Sequence, residues 1–347
     1  MTEPQPLAYF DGQLATGLCD VTSDLSALDA GGWWALVAPY DGPVVAARFA
    51  HVRAGSLPSG NWSGPLVNSW RSSTTRADYV AAVEQLRQQI AAGTVYQANI
   101  CRVLRAELPD PTQSDAVGLA QLLKVGNPAP YAGVVSLPAG CHPLVPAGGL
   151  EVVTASPELF LRRTGQVVES GPIKGTGRTA VDLTDKDRAE NVMIVDLVRN
   201  DLGAVCQTGS VSVPSLLELQ SHPGLVHLVS TVRGRLRDGV GWSELVAAVF
   251  PPGSVTGAPK SSAIRLISEL EAVPRGPYCG AVGWVSGTAA TLAVGIRTFW
   301  REGSELCFGT GAGITWDSDP QREWEETELK AETLLSVAAG TWQAGAL

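Results

Sequence analysis

Residues 278–339 read YCGAVGWVSGTAATLAVGIRTFWREGSELCFGTGAGITWDSDPQREWEETELKAETLLSVAA. Three apolar runs, near Tyr278–Val285, Thr291–Phe299 and Glu305–Thr310, are parted by Gly, Ser and charged residues and predict successive strands. The period then changes, and a single long helix is expected from about Pro320 to Ala339. Strands that come in a batch, not in strict alternation with helices, predict an α+β fold with largely antiparallel sheets. They argue against a doubly wound parallel sheet.

The same reading extends toward the amino end. Short β-like runs occupy 150–156 (LEVVTAS), 159–163 (LFLRR) and 166–170 (QVVES), with earlier ones at 33–39 (WWALVAP) and 43–52 (PVVAARFAHV). Tyr79, Val83, Leu86 and Ile90 recur at helical spacing and predict an amphipathic helix from Arg76 to Ala92, stopped by Gly93. A second long helix is expected from about Asp182 to Leu202, and another opens at Pro259, where proline suits a first turn. Turn formers dominate from Gly55 to Thr75 without periodicity. They place a boundary between a short β-rich region, 1–75, and a larger unit, 76–347.

Composition narrows the function. The 347 residues are 45% hydrophobic and 17% charged, enough apolar material for a large core. A formal net charge of −9 repels phosphate backbones and anionic lipid, so nucleic-acid and membrane partners are not expected. No apolar stretch is long enough to span a bilayer, and the first residues lack the pattern of a secretory signal, so a cytoplasmic location is expected. Six scattered cysteines without C-x-x-C spacing read as reduced core residues.

Several segments carry chemistry. Glu323, Glu326 and Lys330 fall at i, i+3 and i+7 and share one face of the last helix. They follow GTGAGITWDSDP (309–320), read as a glycine-rich turn able to approach an anion. Paired carboxylates beside an anion site suit Mg²⁺, although a solvated acidic face near a helix N-terminus explains the same residues. Glu190 opens the apolar helix ENVMIVDLVRNDLG (190–203), and if buried it needs a partner or a metal. Lys174 lies in PIKGT (172–176), read as a stiff loop. It serves as a nucleophile only where burial or neighbouring cations lower its pKa, and otherwise as an anion clamp or surface lysine. FPPGSVTGAPKSS (250–262) fails the phosphate-loop pattern, because Ala258 and Pro259 stand where Gly and Lys are required. What remains is a small-residue loop offering the Ser254 and Thr256 hydroxyls to a polar pocket.

These segments together resemble the chorismate-utilising enzymes: anthranilate synthase large subunit, aminodeoxychorismate synthase component I, and the isochorismate and salicylate synthases. The resemblance runs from about Arg76 to the end, through SPELFL (156–161), PIKGT, ENVMIVDLVRNDLG, HLVS (227–230), FPPGSVTGAPK, RGPYCGAVG (275–283), GIRTF (295–299) and GAGITWDSDPQREWEETELKAETL (311–334). It implies two large, mostly antiparallel sheets packed face to face with helices outside. It also implies Mg²⁺ as cofactor, with Glu190 and Glu326 as ligands and Glu323 close by, gripping the ring carboxylate of chorismate. Arg297, Tyr278 and the backbone of Gly311, Ala312 and Gly313 resemble the groups that hold the enolpyruvyl carboxylate, with Lys330 near that end. His227 resembles the histidine close to the ring, Ser254 the hydroxyl facing it, and Glu158 the acid that protonates the departing C4 hydroxyl. Gly175, Thr176 and Thr256 fall within the matching motifs as substrate-binding positions.

Two positions divide the family. Gln97 stands where enzymes that activate water at ring C2 typically carry lysine, so hydration is disfavoured. Lys174 stands where anthranilate synthases typically carry alanine and aminodeoxychorismate synthases a nucleophilic lysine. The resemblance therefore implies amination at C4 through a covalent Lys174 intermediate, giving 4-amino-4-deoxychorismate for p-aminobenzoate and folate. No cysteine sits in the G-x-C-x-G setting of a class I glutaminase, so a separate glutaminase subunit is the expected ammonia source. Anthranilate synthase component I and a non-catalytic chorismate-binding paralogue are the competing readings. The region before residue 76 is shorter than the one that carries feedback tryptophan sites in relatives, so inhibition by tryptophan is not expected.

Overall fold

The structure is a computed structural model that describes residues 5–177, 179–222 and 225–342. Its helices are α1 (Arg76–Ala91), α2 (Ala116–Gly126), α3 (Asp185–Gly203), α4 (Trp242–Val249), α5 (Lys260–Leu270) and α6 (Pro320–Ala338). Before α2 the strands are β1 (Leu7–Phe10), β2 (Gln13–Thr22), β3 (Trp33–Ala38), β4 (Val45–Ala54), β5 (Arg71–Ser72) and β6 (Gln97–Glu107). Between α2 and α3 lie β7 (Tyr131–Leu137), β8 (Leu150–Ser156), β9 (Leu159–Thr164), β10 (Val167–Gly171) and β11 (Ile173–Gly177). The rest are β12 (Ser212–His222), β13 (Leu225–Arg235), β14 (Gly257–Ala258), β15 (Ala281–Ser286), β16 (Ala289–Val294), β17 (Thr298–Glu302) and β18 (Glu305–Ile314).

Every described strand pairing is antiparallel. The α+β class read from the batch of strands holds. Shared pairings run in the order β6–β18–β17–β8–β7–β1–β2–β4–β3–β15–β16–β9–β10–β13. Strands β5 and β14 flank β6, while β11 and β12 flank β13. One half is thus built around β6 and β18 and the other around β13 and β16. Residues 7–54 form the strands in the middle that join them.

The two halves are also tied by strands that pass between them. β8 and β17 pair in the first half, and their continuations β9 and β16 pair in the second. Each continuation is broken. Pro157, which has no N–H to give a ladder, parts β8 from β9. Gly295 and Arg297, the latter at φ +50°, part β16 from β17. The breaks hold each other: Ala155 N donates to Arg297 O (3.0 Å) and Val294 N to Glu158 O (3.0 Å). Glu158 and Arg297 therefore stand where the sheet system turns from one half to the other.

Helices close the outer faces through apolar stripes. Val337, Leu334 and Ala331 of α6 pack with Leu119 and Leu123 of α2 over Phe299 and Phe308. Tyr79, Val83 and Leu86 of α1 meet Leu266 of α5 and Trp324 over Ile100 and Ala312. The largest apolar cluster joins α3 and α4 to the strands of the second half and to Trp33, Trp34 and Phe49 of the N-terminal strands. All six cysteines are free; Cys101, Cys206, Cys279 and Cys307 are core residues, whereas Cys19 is exposed and Cys141 intermediate.

Two local readings are corrected. Residues 309–314 are not a turn but the end of β18, in register with β6 (Gly309↔Val103, Gly311↔Cys101, Gly313↔Asn99). Their glycines answer to close approach: an added Cβ would lie 2.0 Å from Tyr278 Cγ at Gly309 and 2.6 Å from Cys101 Sγ at Gly311. Lys174, read as a loop residue, lies in β11. That strand shifts register against β13 between Ile173 and Thr176, a bulge that re-aims the side chains it carries. Gly175, at φ +82°, is pressed against α3, where a Cβ would meet Asp187 Cβ at 2.8 Å.

Candidate active site

Lys174 reaches across from β11 to the first half. A Cβ added at Gly313 would lie 2.7 Å from Gln97 Nε2, 3.3 Å from Asn99 Oδ1 and 3.5 Å from Lys174 Nζ. Gln97 and Asn99 alternate onto one face of β6, and both are buried. Gln97 Oε1 and Nε2 and Asn99 Oδ1 have no hydrogen-bond partner among the described residues. Buried polar atoms are nearly always bonded, so three unsatisfied ones at a single point mark a place kept for another molecule. Burial lowers the pKa of Lys174, and the Glu190 and Glu158 carboxylates oppose that shift. No hydrogen bond or ion pair occupies its amine among the described residues.

Glu158, 4% exposed, stands beside this point. Burial raises its carboxyl to about 7, against the hydrogen bond from Ser254, the Lys174 charge and the Ile173 amide. At that value about half of the groups carry a proton at neutral pH, which fits a general acid. Ser254 reaches Glu158 from the loop before β14. Thr256 does not share that role: its hydroxyl donates to Pro252 O (2.7 Å), and its carbonyl accepts from Asn99 N (2.8 Å). It shapes the loop.

The acidic face is assembled from α3 and α6. Asn191, fully buried, donates to Leu228 O (3.0 Å) and accepts from Ser230 (2.5 Å), which fixes α3 on β13 and turns Glu190 toward Lys174. Burial raises the carboxyls of Glu190 and Glu323, and the nearby Glu326 charge adds to both. Carboxylate oxygens are the donors a hard divalent cation takes. In this structure they are engaged separately. Glu326 pairs with Lys330 (2.5 Å), Glu190 with Lys186 (3.7 Å), and Glu323 is bonded to Ser318. Among the described residues no three His, Cys, Asp or Glu side chains stand close enough to hold a metal ion.

The remaining expected residues are spread along the same floor. Lys330 Nζ also donates to Gly311 O (3.1 Å). Ala312 turns its side chain into the core, leaving only its backbone for a ligand. Tyr278 packs on Gly309, four residues and so about 13 Å along β18 from Gly313. Arg297 is part-buried, its pKa lowered by that burial, and no carboxylate pairs with it among the described residues. A guanidinium so placed is fit to receive an anionic ligand. His227, 2% exposed, lies opposite Thr176 in the β11–β13 register. The Thr176 side chain lies outside the described residues.

These positions match a family model. Residues 51–336 match the one described as chorismate binding enzyme. The chain belongs to that family. It is 40% identical over 282 residues to anthranilate synthase component 1 1 of Haloarcula marismortui, covering 78% of this chain and 55% of that protein. It is also 40% identical over 274 residues to aminodeoxychorismate synthase of Streptomyces pristinaespiralis (75% and 36% covered). Identity is 35% over 277 residues to aminodeoxychorismate synthase component 1 of Bacillus subtilis (76% and 56%). The chain spans about half the length of most of the curated relatives it matches, and about a third of the aminodeoxychorismate synthase of Streptomyces pristinaespiralis. In fold it is similar to anthranilate synthase component I from Streptococcus pneumoniae, with TM-score 0.76, 23% identity and coverage of 95% and 90%. It is likewise similar to the menaquinone-specific isochorismate synthase of Escherichia coli, with TM-score 0.81, 18% identity and coverage of 96% and 88%.

The site also includes residues that the motifs did not single out. Asn99 is one; its signal was a polar residue two positions after Gln97 in an otherwise apolar strand. Arg275 and Glu271 are others. Arg275 Nη2 and Nε donate to Glu271 Oε1 (2.6 Å) and Oε2 (2.8 Å), Nη1 to Val255 O (2.9 Å) and Nη2 also to Asn99 O (3.0 Å). Glu271 Oε1 accepts from Cys101 N (2.9 Å). This buried pair clamps β6 to the Ser254 loop. The N-terminal region reaches it too, since Asp41 Oδ2 accepts from Arg275 N (2.6 Å) and the guanidinium lies 4.4 Å from the Tyr40 ring centroid.

Proposed function

We propose that this chain aminates chorismate at C4, giving 4-amino-4-deoxychorismate with ammonia supplied by a class I glutaminase subunit. The observation that carries this reading is the position of Lys174 Nζ, without a hydrogen-bond partner among the described residues and close to Gln97 and Asn99, beside a Glu158 carboxyl held near neutrality. The Lys174 lone pair forms a bond to ring C2, the two conjugated ring double bonds shift toward C4, and the C4–O bond breaks. Glu158 gives its proton to the leaving hydroxyl, which departs as water. Ammonia then bonds to C4, the double bonds return, and the C2–N bond breaks to restore the Lys174 amine, with Glu158 taking up the surplus proton. Division into two displacements replaces one difficult substitution by two easier ones.

Glu190, Glu323 and Glu326 would hold Mg²⁺, whose charge would supply the grip on the ring carboxylate. Arg297 and Lys330 supply further positive charge for the enolpyruvyl end. The product of chorismate, Mg²⁺ and ammonium, identified by mass spectrometry, tests the reading. Aminodeoxychorismate is expected, and anthranilate as sole product overturns it. The equal similarity to an anthranilate synthase makes that enzyme the second reading, and Lys174 is the residue that separates the two.

A further inference from the structure

The orphaned amides beside Lys174 have chemistry of their own. Gln97 and Asn99 are neutral and buried, and Gln97 Nε2, Asn99 Oδ1 and Lys174 Nζ gather around one point above Gly313. Neither atom of the Gln97 carboxamide is bonded among the described residues, so the group turns to present its oxygen without breaking a hydrogen bond to them. A lysine nitrogen that bonds to carbon while keeping two protons becomes a secondary ammonium with two N–H donors and a positive charge. We propose that Gln97 Oε1 and Asn99 Oδ1 accept those two N–H groups, so that both amides stabilise the covalent Lys174–ring state and Asn99 is a catalytic residue. The inference rests on the covalent reading given above.

The balance of the step is complete. Lys174 enters as a neutral amine, the N–C2 bond forms as the C4–O bond breaks, Glu158 protonates the departing hydroxyl, and the nitrogen retains both hydrogens. Two acceptors meet two donors. Neutral amide oxygens suit the task because they stabilise the charge only once it has developed, whereas a carboxylate in contact would hold the free lysine protonated. The backbone of Asn99 is held independently of its side chain, N on Thr256 O and O on Arg275, so a side-chain exchange leaves β6 anchored.

The test omits ammonia so that the adduct accumulates, and follows it by intact-protein mass after acid quench. Wild type should gain the mass of chorismate less water. Asn99→Val and Gln97→Met should each form the adduct at least tenfold more slowly, and Asn99→Ser, which keeps a neutral acceptor oxygen, should recover part of the loss. Chorismate affinity measured by calorimetry should agree within twofold between Lys174→Ala and Lys174→Ala/Asn99→Val. Thermal melts of Asn99→Val and Gln97→Met establish folding, and one folded variant suffices. Adduct formation at the wild-type rate in a folded variant overturns this inference alone, as does weaker chorismate binding in the double variant, which would assign the amides to the ring. Absence of any adduct in wild type overturns the covalent reading and this inference with it.

Discussion

Two polar clusters share strand β6 and could hardly differ more. Around Arg275 and Glu271 the guanidinium and the carboxylate are both engaged, with backbone groups of β6 and the Ser254 loop taking up the rest. Around Lys174 an amine and two carboxamides leave hydrogen bonds unmade among the described residues, beside the Glu158 carboxyl, which Ser254 and the Ile173 amide hold. Asn99 belongs to both: its carbonyl is fixed by Arg275, its side chain left open toward Lys174. The difference teaches how to divide buried polarity in this chain. The saturated cluster holds the site's walls, and the unsatisfied one is where chemistry is expected, because only a further molecule can complete it.

The contrast can be broken most forcefully at Arg275. Arg275→Met leaves Glu271 charged and buried and should lower unfolding free energy by about 3–5 kcal/mol, read from urea melts. A loss under 1 kcal/mol would show that the pair is not a clamp. On the open side, Glu158→Gln removes the acid and should cut amination about 10²–10⁴-fold while leaving urea stability equal or higher, since a neutral amide replaces a group that burial penalises.

The pH dependence sharpens the same point. Glu158 is active as the acid, so the rate of adduct formation should be full below pH 7 on its account and fall about tenfold per unit above it. Stopped-flow or quench measurements between pH 6 and 9 would show that limb, and its persistence in Glu158→Gln would assign it to another group. The smallest effect is expected from Lys174→Ala on stability. A lysine that makes no hydrogen bond among the described residues should cost about 1 kcal/mol or less when removed, even as the aminated product disappears.

Much of this was legible in the linear chain. The last helix was expected at 320–339 and runs Pro320–Ala338; the first was expected from Arg76 to Ala92 and ends at Ala91. Periodicity served there because each helix buries a stripe of its own residues. It failed for Thr291–Phe299, expected as one strand and found as two, because Gly295 and Arg297 break the ladder where the sheet system changes halves. It failed again at Gly309, Gly311 and Gly313, since glycine marks both turns and strands pressed by a neighbour, and only the neighbour decides. The strands carrying Gln97 and His227 were recognised as motifs, not as elements.

By itself the sequence determined the α+β class, the long helices and the family, because local periodicity and ordered motifs are properties of residues close in the chain. Membership in the chorismate-binding family followed from blocks spread over most of its length. Only the tertiary structure decided that Lys174 of one half meets Gln97 and Asn99 of the other, that Glu158 sits at a strand break where burial raises its carboxyl to about 7, and that Arg275 is saturated while Lys174 is not. Hydrogen-bond completion and desolvation depend on what lies across the fold, about which spacing along the chain is silent.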